Sequence, residues 1–302
     1  MANNASRKLK ERNRKIFYWL MISLPLLQFF IFYICVNINS LILAFKSYSV
    51  TEGESFVFLD NFATVIKAIF KDTSISTAFT NSAIVWFVGL CVGSTLALFF
   101  SFYVYKKYFG SGLFRVMLFM PQIISSIVLV IMFRYFMVYA LPEFLEPFGT
   151  KVPDLLADPN TAWGTILFYT LWTGFGTSTM MYVGAMNNIS DSIVEYAKLD
   201  GFTPMKEFIF ITVPMVFPTV STFITVGLAA VFTNQMALYQ FYAGNAEPQL
   251  WTVGYYLYVS VQKAGNAEYP YLSAFGLVLT FITAPVTLIV KKLLEKYGPG
   301  VN

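Results

Sequence analysis

The chain of 302 residues is 57% hydrophobic and 19% aromatic but only 12% charged, with a mean hydropathy of +0.63. Soluble globular domains carry about 25% charged residues, so this inventory excludes a compact water-soluble fold and makes lipid the main solvent. The net charge is +4 and there is no histidine, which excludes imidazole-based metal, proton-relay or catalytic chemistry.

Six long neutral intervals separate the charges: Ile16 to Phe45, Thr73 to Tyr105, Val116 to Phe133, Pro159 to Ser190, Phe208 to Ala246, and Tyr269 to Val290. Each supplies the roughly 17–25 residues with which a helix crosses a ~30 Å hydrocarbon layer. Uninterrupted apolar runs are unlike the period-two strands of a transmembrane barrel. The prediction is an all-α membrane protein with six transmembrane helices. If both termini are cytoplasmic (N-in/C-in), fourteen basic residues fall on inner segments and six on outer ones, while acids divide six inside to ten outside. This is the positive-inside bias.

In chain order, residues 1–15 form a basic cytoplasmic arm, partly helical, read as a retention signal rather than a nucleic-acid patch. The first transmembrane helix covers 16–45, with Pro25 as a kink near its inner end. Its neutral stretch is about twice the ~7–15 residues of a signal-peptide core, so it reads as an uncleaved anchor. Residues 46–78 are extracytoplasmic, and Phe62, Val65, Ile66, Ile69 and Phe70 recur at helical spacing beside Lys67 and Lys71. That spacing predicts an amphipathic helix on the outer leaflet. Residues 79–294 form the core of five further transmembrane helices, and 295–302 a cytoplasmic tail.

Within the core the second helix, 79–105, carries Gly89 and Gly93, a pair read as close helix packing. The third spans 114–135, followed by an outer loop holding Pro142, Pro147, Pro153 and Pro159. The fourth covers 162–187 and the fifth runs from Pro214 to Gln240. An outer loop with a helix around Trp251 to Val261 precedes the sixth, 272–294, which Gly298-Pro299-Gly300 stops. Cys35 and Cys91 fall inside spans without metal spacing and read as packing residues; no metal site is expected.

The cytoplasmic stretch between the fourth and fifth helices is the most structured soluble element. Ser192 and Glu195 have capping-box spacing, Gly201 suits a left-handed stop, and Thr203-Pro204 suits a cap followed by the first helical position. The expectation is helix, glycine turn, helix, leading through Ile211-Thr212-Val213-Pro214 into the fifth span.

Glu195-x-Ala197, three residues, Gly201, nine residues, then Ile211-x-Val213-Pro214 resembles the EAA loop of permease subunits of bacterial binding-protein-dependent ABC importers. Tyr196 replaces the first Ala of that pattern and Val213 its Leu. Leu43-Ala44-Phe45-Lys46-Ser47-Tyr48 and Phe58-Leu59-Asp60-Asn61-Phe62 resemble the segment after the first helix in the maltose-type carbohydrate permease family. The resemblance implies a multi-pass protein of the bacterial cell (inner) membrane, half of a sugar or oligosaccharide path. It implies that Ser192, Glu195, Ala197, Gly201 and Pro214 belong to a coupling helix seated on a cytoplasmic ATPase. The implied partners are two ATPase subunits, a second homologous permease, an extracytoplasmic solute-binding protein, a carbohydrate and membrane lipid, with no nucleic acid. The chain has no GxxxxGK[ST] phosphate loop, so ATP and Mg are expected on the partner subunits, no cofactor on this chain, and no enzyme activity in it.

No Asp, Glu or Lys lies mid-span. Ion-coupled carriers commonly place ionisable groups or unwound helices there, so their lack argues against ion coupling and against a charged substrate. Thr170, Thr173, Gly174 and Thr177 share one face of the fourth helix, and Gly227 and Asn234 one face of the fifth, with Gln235 alongside. Thr170, Gly174, Thr177, Gly227, Asn234 and Gln235 are the candidate path lining, with Tyr169 and Trp172 as stacking faces. Interhelical hydrogen bonding by small polar residues is the competing reading of these positions. Alternative functions are an ABC importer permease for a peptide, polyamine or phosphate ester, an ion-coupled carrier acting alone, and a membrane scaffold.

Overall fold

The computed structural model describes residues 2–49, 53–149 and 153–299. Helix dominates, because in lipid a chain segment must satisfy its own backbone polar groups. Helical geometry begins at Ala2 and continues through a π turn at Phe30–Cys35, the apolar part being α1 (Lys10–Leu43). An antiparallel hairpin of β1 (Lys46–Ser49) and β2 (Gly53–Phe56) follows, with Tyr48 opposite Glu54. This departs from an all-α fold. Four-residue strands are too short for a period-two pattern to register in sequence. The amphipathic helix is present as α2 (Asp60–Lys71). Asn61 donates from Nδ2 to the carbonyls of Ala44 and Lys46, at 2.9 and 2.7 Å, holding α2 to the hairpin base.

The next helix, α3 (Thr73–Tyr105), begins at Thr73 rather than near Phe79. Asp72 accepts from the amides of Ser74 and Ile75 and caps it. The third span differs most from expectation. It is divided into α4 (Ser111–Ile123) and α5 (Ser126–Phe148), with Ile124 and Ser125 extended between them. Pro121 removes a donor from the last turn of α4, while Pro142 and Pro147 lie inside the continuous α5. Proline is tolerated at 142 because a π turn precedes it, the Leu141 N–H bonding Phe136 O and widening the turn against which the ring would clash.

Asp158 caps α6 (Pro159–Met186). Two helices flank the glycine turn at Gly201, α7 (Asp191–Leu199) before it and α8 (Pro204–Ala229) after it. A π turn at Phe208–Thr212 again precedes a proline, Pro214, with the Val213 N–H bonding Phe208 O. The expectation that α8 reaches Gln240, and that no span unwinds, is corrected: helix ends at Ala229 and an irregular segment follows, with Met236 and Ala237 at positive φ. The chain then forms α9 (Leu238–Tyr242), α10 (Val253–Lys263) and α11 (Tyr269–Tyr297). Gly300 of the expected C-terminal stop, and Lys151, lie outside the described residues.

Five of these helices, α1, α3, α5, α8 and α11, are long and apolar enough to cross a membrane. The 28 residues of α6 extend about 42 Å, also long enough, but are diluted by Thr, Ser and Gly. Three of those hydroxyls are satisfied within the helix: Thr165, Thr170 and Thr173 donate back to Thr161, Ile166 and Tyr169 carbonyls.

The chain divides into two compact units, residues 1–66 with 264–278, and residues 67–263 with 279–302. Among the described residues the larger unit holds two apolar cores. One gathers Phe133, Tyr169, Phe241 and Tyr255, the other Phe102, Tyr182, Met186, Val194 and Val216. Cys35 and Cys91, expected inside the packing, are both exposed on their helices.

Candidate functional site

A cavity of about 340 Å³ opens in the larger unit where its two cores meet, Val85 belonging to one and Phe223 packing on the other. Ser82, Trp86, Gly89 and Ser94 of α3, Gly227 of α8, and Thr233 and Asn234 of the irregular segment line it. A second cavity of about 250 Å³ shares Val85, Gly89, Ser94 and Asn234 and continues to Thr170, Gly174 and Ser178 of α6. The linings hold hydroxyls, an amide, an indole and glycines, and no charged side chain.

Non-helical backbone at membrane depth is tolerated only where protein covers it or a watery cavity meets it. The segment 230–237 borders the larger cavity through Ala230, Val231, Thr233 and Asn234, and side chains far away in sequence hold it there. Asn81 donates from Nδ2 to Gln249 O and Trp251 O, both at 2.9 Å, and Ser82 accepts from the Val253 amide at 3.0 Å. Thr252 then donates to Asn234 O at 2.7 Å. A Cβ on Gly254 would stand 2.7 Å from the Thr233 backbone, so only glycine permits this approach. The Met236 amide donates to Asn234 Oδ1 at 2.9 Å, leaving Nδ2 as the group that Asn234 offers a ligand.

Of the path candidates, the structure brings Thr170, Gly174, Gly227 and Asn234 together around these cavities. It does not bring Tyr169, Trp172, Thr177 or Gln235 there. Tyr169 is buried in an apolar core, its ring 4.9 Å from that of Phe133, and Trp172 stacks on Phe133 as well. Thr177 is exposed, and the Gln235 carbonyl accepts from the Leu238 amide in a turn. The packing role expected of Gly89 is corrected: a Cβ there would meet nothing within 4 Å, because Gly89 faces the cavities. A Cβ on Gly93 would make one ordinary contact, with Leu171. The α3 contribution, Asn81, Ser82 and Trp86, escaped the sequence reading. The signal was two adjacent amide and hydroxyl side chains in an apolar span, groups that need partners in lipid.

At the turn between α7 and α8, the Phe202 amide donates to Ala197 O at 3.0 Å and the Gly201 amide to Lys198 O at 3.1 Å. This is a complete Schellman motif, and Gly201 has φ 72°. Thr203 caps α8, accepting from the Lys206 amide. The expected Ser192–Glu195 capping box is absent; Ser190 occupies the N-cap position and its Oγ lies 2.8 Å from Ser192 Oγ. Val194 and Ala197 are buried, while Ser192, Ile193, Glu195, Tyr196 and Leu199 are exposed. Leu199 is 81% exposed and Tyr196 68%, an apolar stripe at helical spacing around Glu195, which makes no ion pair among the described residues. Pro214 is half-buried inside α8.

Residues 89–301 match the sequence profile of the family described as binding-protein-dependent transport system inner membrane component. The chain belongs to this family. It is therefore a multi-pass inner membrane protein and a transport subunit rather than an enzyme. Among curated relatives, the multiple sugar-binding transport system permease protein MsmF of Streptococcus mutans is 23% identical over 287 residues, 94% of this chain and 97% of that protein. The arabinooligosaccharides transport system permease protein AraP of Bacillus subtilis is 26% identical, over 88% of this chain and 85% of its own length. The fold is shared with a crystal structure of a bacterial ABC transporter involved in importing the acidic polysaccharide alginate (TM-score 0.77, 18% identity, 96% of this chain and 99% of that one). A second alginate transporter structure, in complex with a pentasaccharide-bound periplasmic protein, matches with TM-score 0.71 at 19% identity, covering 95% of each chain.

Proposed function

We propose that this family member is one permease subunit of an ATP-driven sugar importer, carrying a neutral oligosaccharide through the cavities between α3, α6, α8 and the irregular segment. The observation that carries the reading is the uncharged, hydroxyl- and indole-bearing lining at a deliberately unwound backbone. A polyhydroxylated solute needs such donors, acceptors and aromatic faces, whereas an acidic saccharide would call for a countercharge in a low-dielectric site. The sugar names borne by MsmF and AraP support the same class.

In this reading the chain has six spans, N-in and C-in, with α6 as the sixth alongside the five more apolar helices. The elbow of α7, Gly201 and α8 then faces the cytoplasm, and the exposed stripe around Glu195 seats on an ATPase subunit that binds ATP and Mg. Closure of the ATPase pair swings α7 as a rigid lever, and the two permeases exchange inward-open and outward-open states. A second permease and an extracytoplasmic solute-binding protein complete the assembly.

The test is reconstitution of the chain with its partner permease, ATPase and binding protein in liposomes. Asn234→Leu is expected to abolish or redirect sugar uptake and substrate-stimulated ATP hydrolysis. Normal uptake, normal stimulation and unchanged sugar preference would remove Asn234 from the path. Glu195→Lys is expected to insert normally but lose ATPase association; wild-type uptake in that variant removes the coupling claim.

A further inference from the structure

We infer that the buried ion pair Lys106–Glu207 is a strut that transmits movement of the elbow to the wall of the cavity, making both residues positioning residues for transport. The inference rests on the coupling role proposed above for the elbow.

Lys106 is the C-cap of α3, and Glu207 lies in the first turn and a half of α8, directly after the glycine turn. Lys106 Nζ stands 2.5 Å from Glu207 Oε1 and 2.7 Å from Oε2, and the two side chains are only 15% and 6% exposed. The ammonium also lies 5.5 Å from the Phe102 ring centroid and 5.6 Å from that of Tyr105. The residue after Glu207, Phe208, places its ring 5.0 Å from Phe102. Charge and aromatic contacts thus join the same two elements at one point.

Three features make this junction more than packing. First, a buried pair is poor evidence for stability, since apolar residues of similar volume often do as well or better; what the pair adds is a fixed geometry. Second, beside the pair α3 and α8 part around an apolar cavity of about 140 Å³, lined by Phe99 and Tyr103 on one side and Pro204 and Met205 on the other. Packing is therefore incomplete there, resting on the Phe208 ring against Phe99 and Phe102, and the charged pair fixes the spacing with it. Third, each end of the strut sits next to a compliant element. Glu207 is followed at once by the π turn Phe208–Thr212, a break in the helical ladder between the elbow and the rest of α8. Lys106 is followed by Lys107 at φ 52°. In the other direction α3 is continuous from Lys106 back to its own π turn, Gly89–Gly93, about 20 Å away, where Gly89 lines both cavities. A displacement of the elbow is thus passed to α3 through the ion pair and the Phe208 ring contacts beside it, and reaches the lining along an unbroken helix.

The experiment uses the assembled transporter in nanodiscs, with ATP hydrolysis measured per assembled complex, with and without substrate-loaded binding protein. The neutral pair Lys106→Met/Glu207→Gln leaves no uncompensated buried charge, so it is expected to assemble in wild-type amount and keep basal hydrolysis. Its stimulation by loaded binding protein, and its uptake, should fall on the order of tenfold, the scale of a typical coupling between sites. The exchanged pair Lys106→Glu/Glu207→Lys should recover most of the stimulation. Wild-type stimulation per complex in the neutral pair overturns the strut, as does a loss confined to the amount assembled. Glu195→Lys, run in parallel, separates the two readings. If Glu195→Lys loses ATPase association while the neutral pair is fully stimulated, the strut alone fails; if Glu195→Lys is fully active, the elbow reading fails and the strut with it.

Discussion

Two glycines two residues apart on α6 should respond in opposite ways to the same methyl group. A Cβ on Gly176 would lie 2.6 Å from Leu118 O and 3.3 Å from Phe119 Cα, both backbone atoms of α4, and 3.0 Å from Gln122 Cγ. The first contact is about 0.8 Å short of ordinary van der Waals separation, and a backbone carbonyl in a helix cannot rotate aside. Gly176→Ala must therefore push α4 and α6 apart, loosening the hydrogen bond from the Gln122 side-chain amide to Thr173 O beside it. Overpacking of this kind costs about 1–3 kcal/mol. At Gly174 a Cβ would meet nothing within 4 Å, so Gly174→Ala keeps the helix-propensity gain of up to about 1 kcal/mol without a clash. The difference between the variants isolates the packing term, and thermal unfolding in detergent should place Gly176→Ala clearly below Gly174→Ala. Uptake should reverse the order per folded molecule, because Gly174 lines the smaller cavity and its methyl intrudes there. Equal unfolding midpoints for the two variants would refute the close approach of α4 and α6 at Gly176.

Asn81→Leu leaves the Gln249 and Trp251 carbonyls without their donor, at about 1–3 kcal/mol for each buried unsatisfied group. Protease cutting within 245–254 should increase while the other loops resist as before; unchanged protection would mean that Asn81 is not the anchor. Tyr242 and Tyr255 have hydroxyl pKa values raised mainly by burial, with Arg134 opposing the shift at Tyr242 and the Ala246 backbone opposing it at Tyr255. Because the folded value is raised, their stabilisation is complete below the ordinary tyrosine pKa and is lost as pH climbs through the folded value. Tyrosinate absorbance should show Tyr242→Phe and Tyr255→Phe each removing a component that titrates later than the bulk of the 19 tyrosines; removal of an early component would contradict the burial.

The elbow was readable in advance because its signals are local. Gly201 ends one helix and Thr203-Pro204 starts the next through bonds spanning at most five residues, and the structure reproduces each of them. The cavity was only half readable. Thr170, Gly174, Gly227 and Asn234 stood out as polar or small positions, but nothing local separated them from Tyr169, Trp172, Thr177 and Gln235, whose destinations depend on neighbours such as Phe133. Nothing local to Lys106 or Glu207 marks them as partners, because their pairing joins residues 101 apart.

Composition and charge order were enough to establish a helical membrane protein, because solvent choice and helix formation depend on sums over 20 or so residues and on caps within one turn. Where helices stop was another matter. No Gly or Pro marks the end of α8 at Ala229, which depends on Thr252 and Gly254 meeting the 233–234 backbone, and these are held in turn by Asn81, 170 positions before Trp251. The same holds for the glycines, alike in sequence, of which Gly176 admits a neighbouring helix and Gly89 opens onto a cavity. A side chain's partner across the fold is set by packing of distant segments, and no window of sequence contains both halves of such a contact.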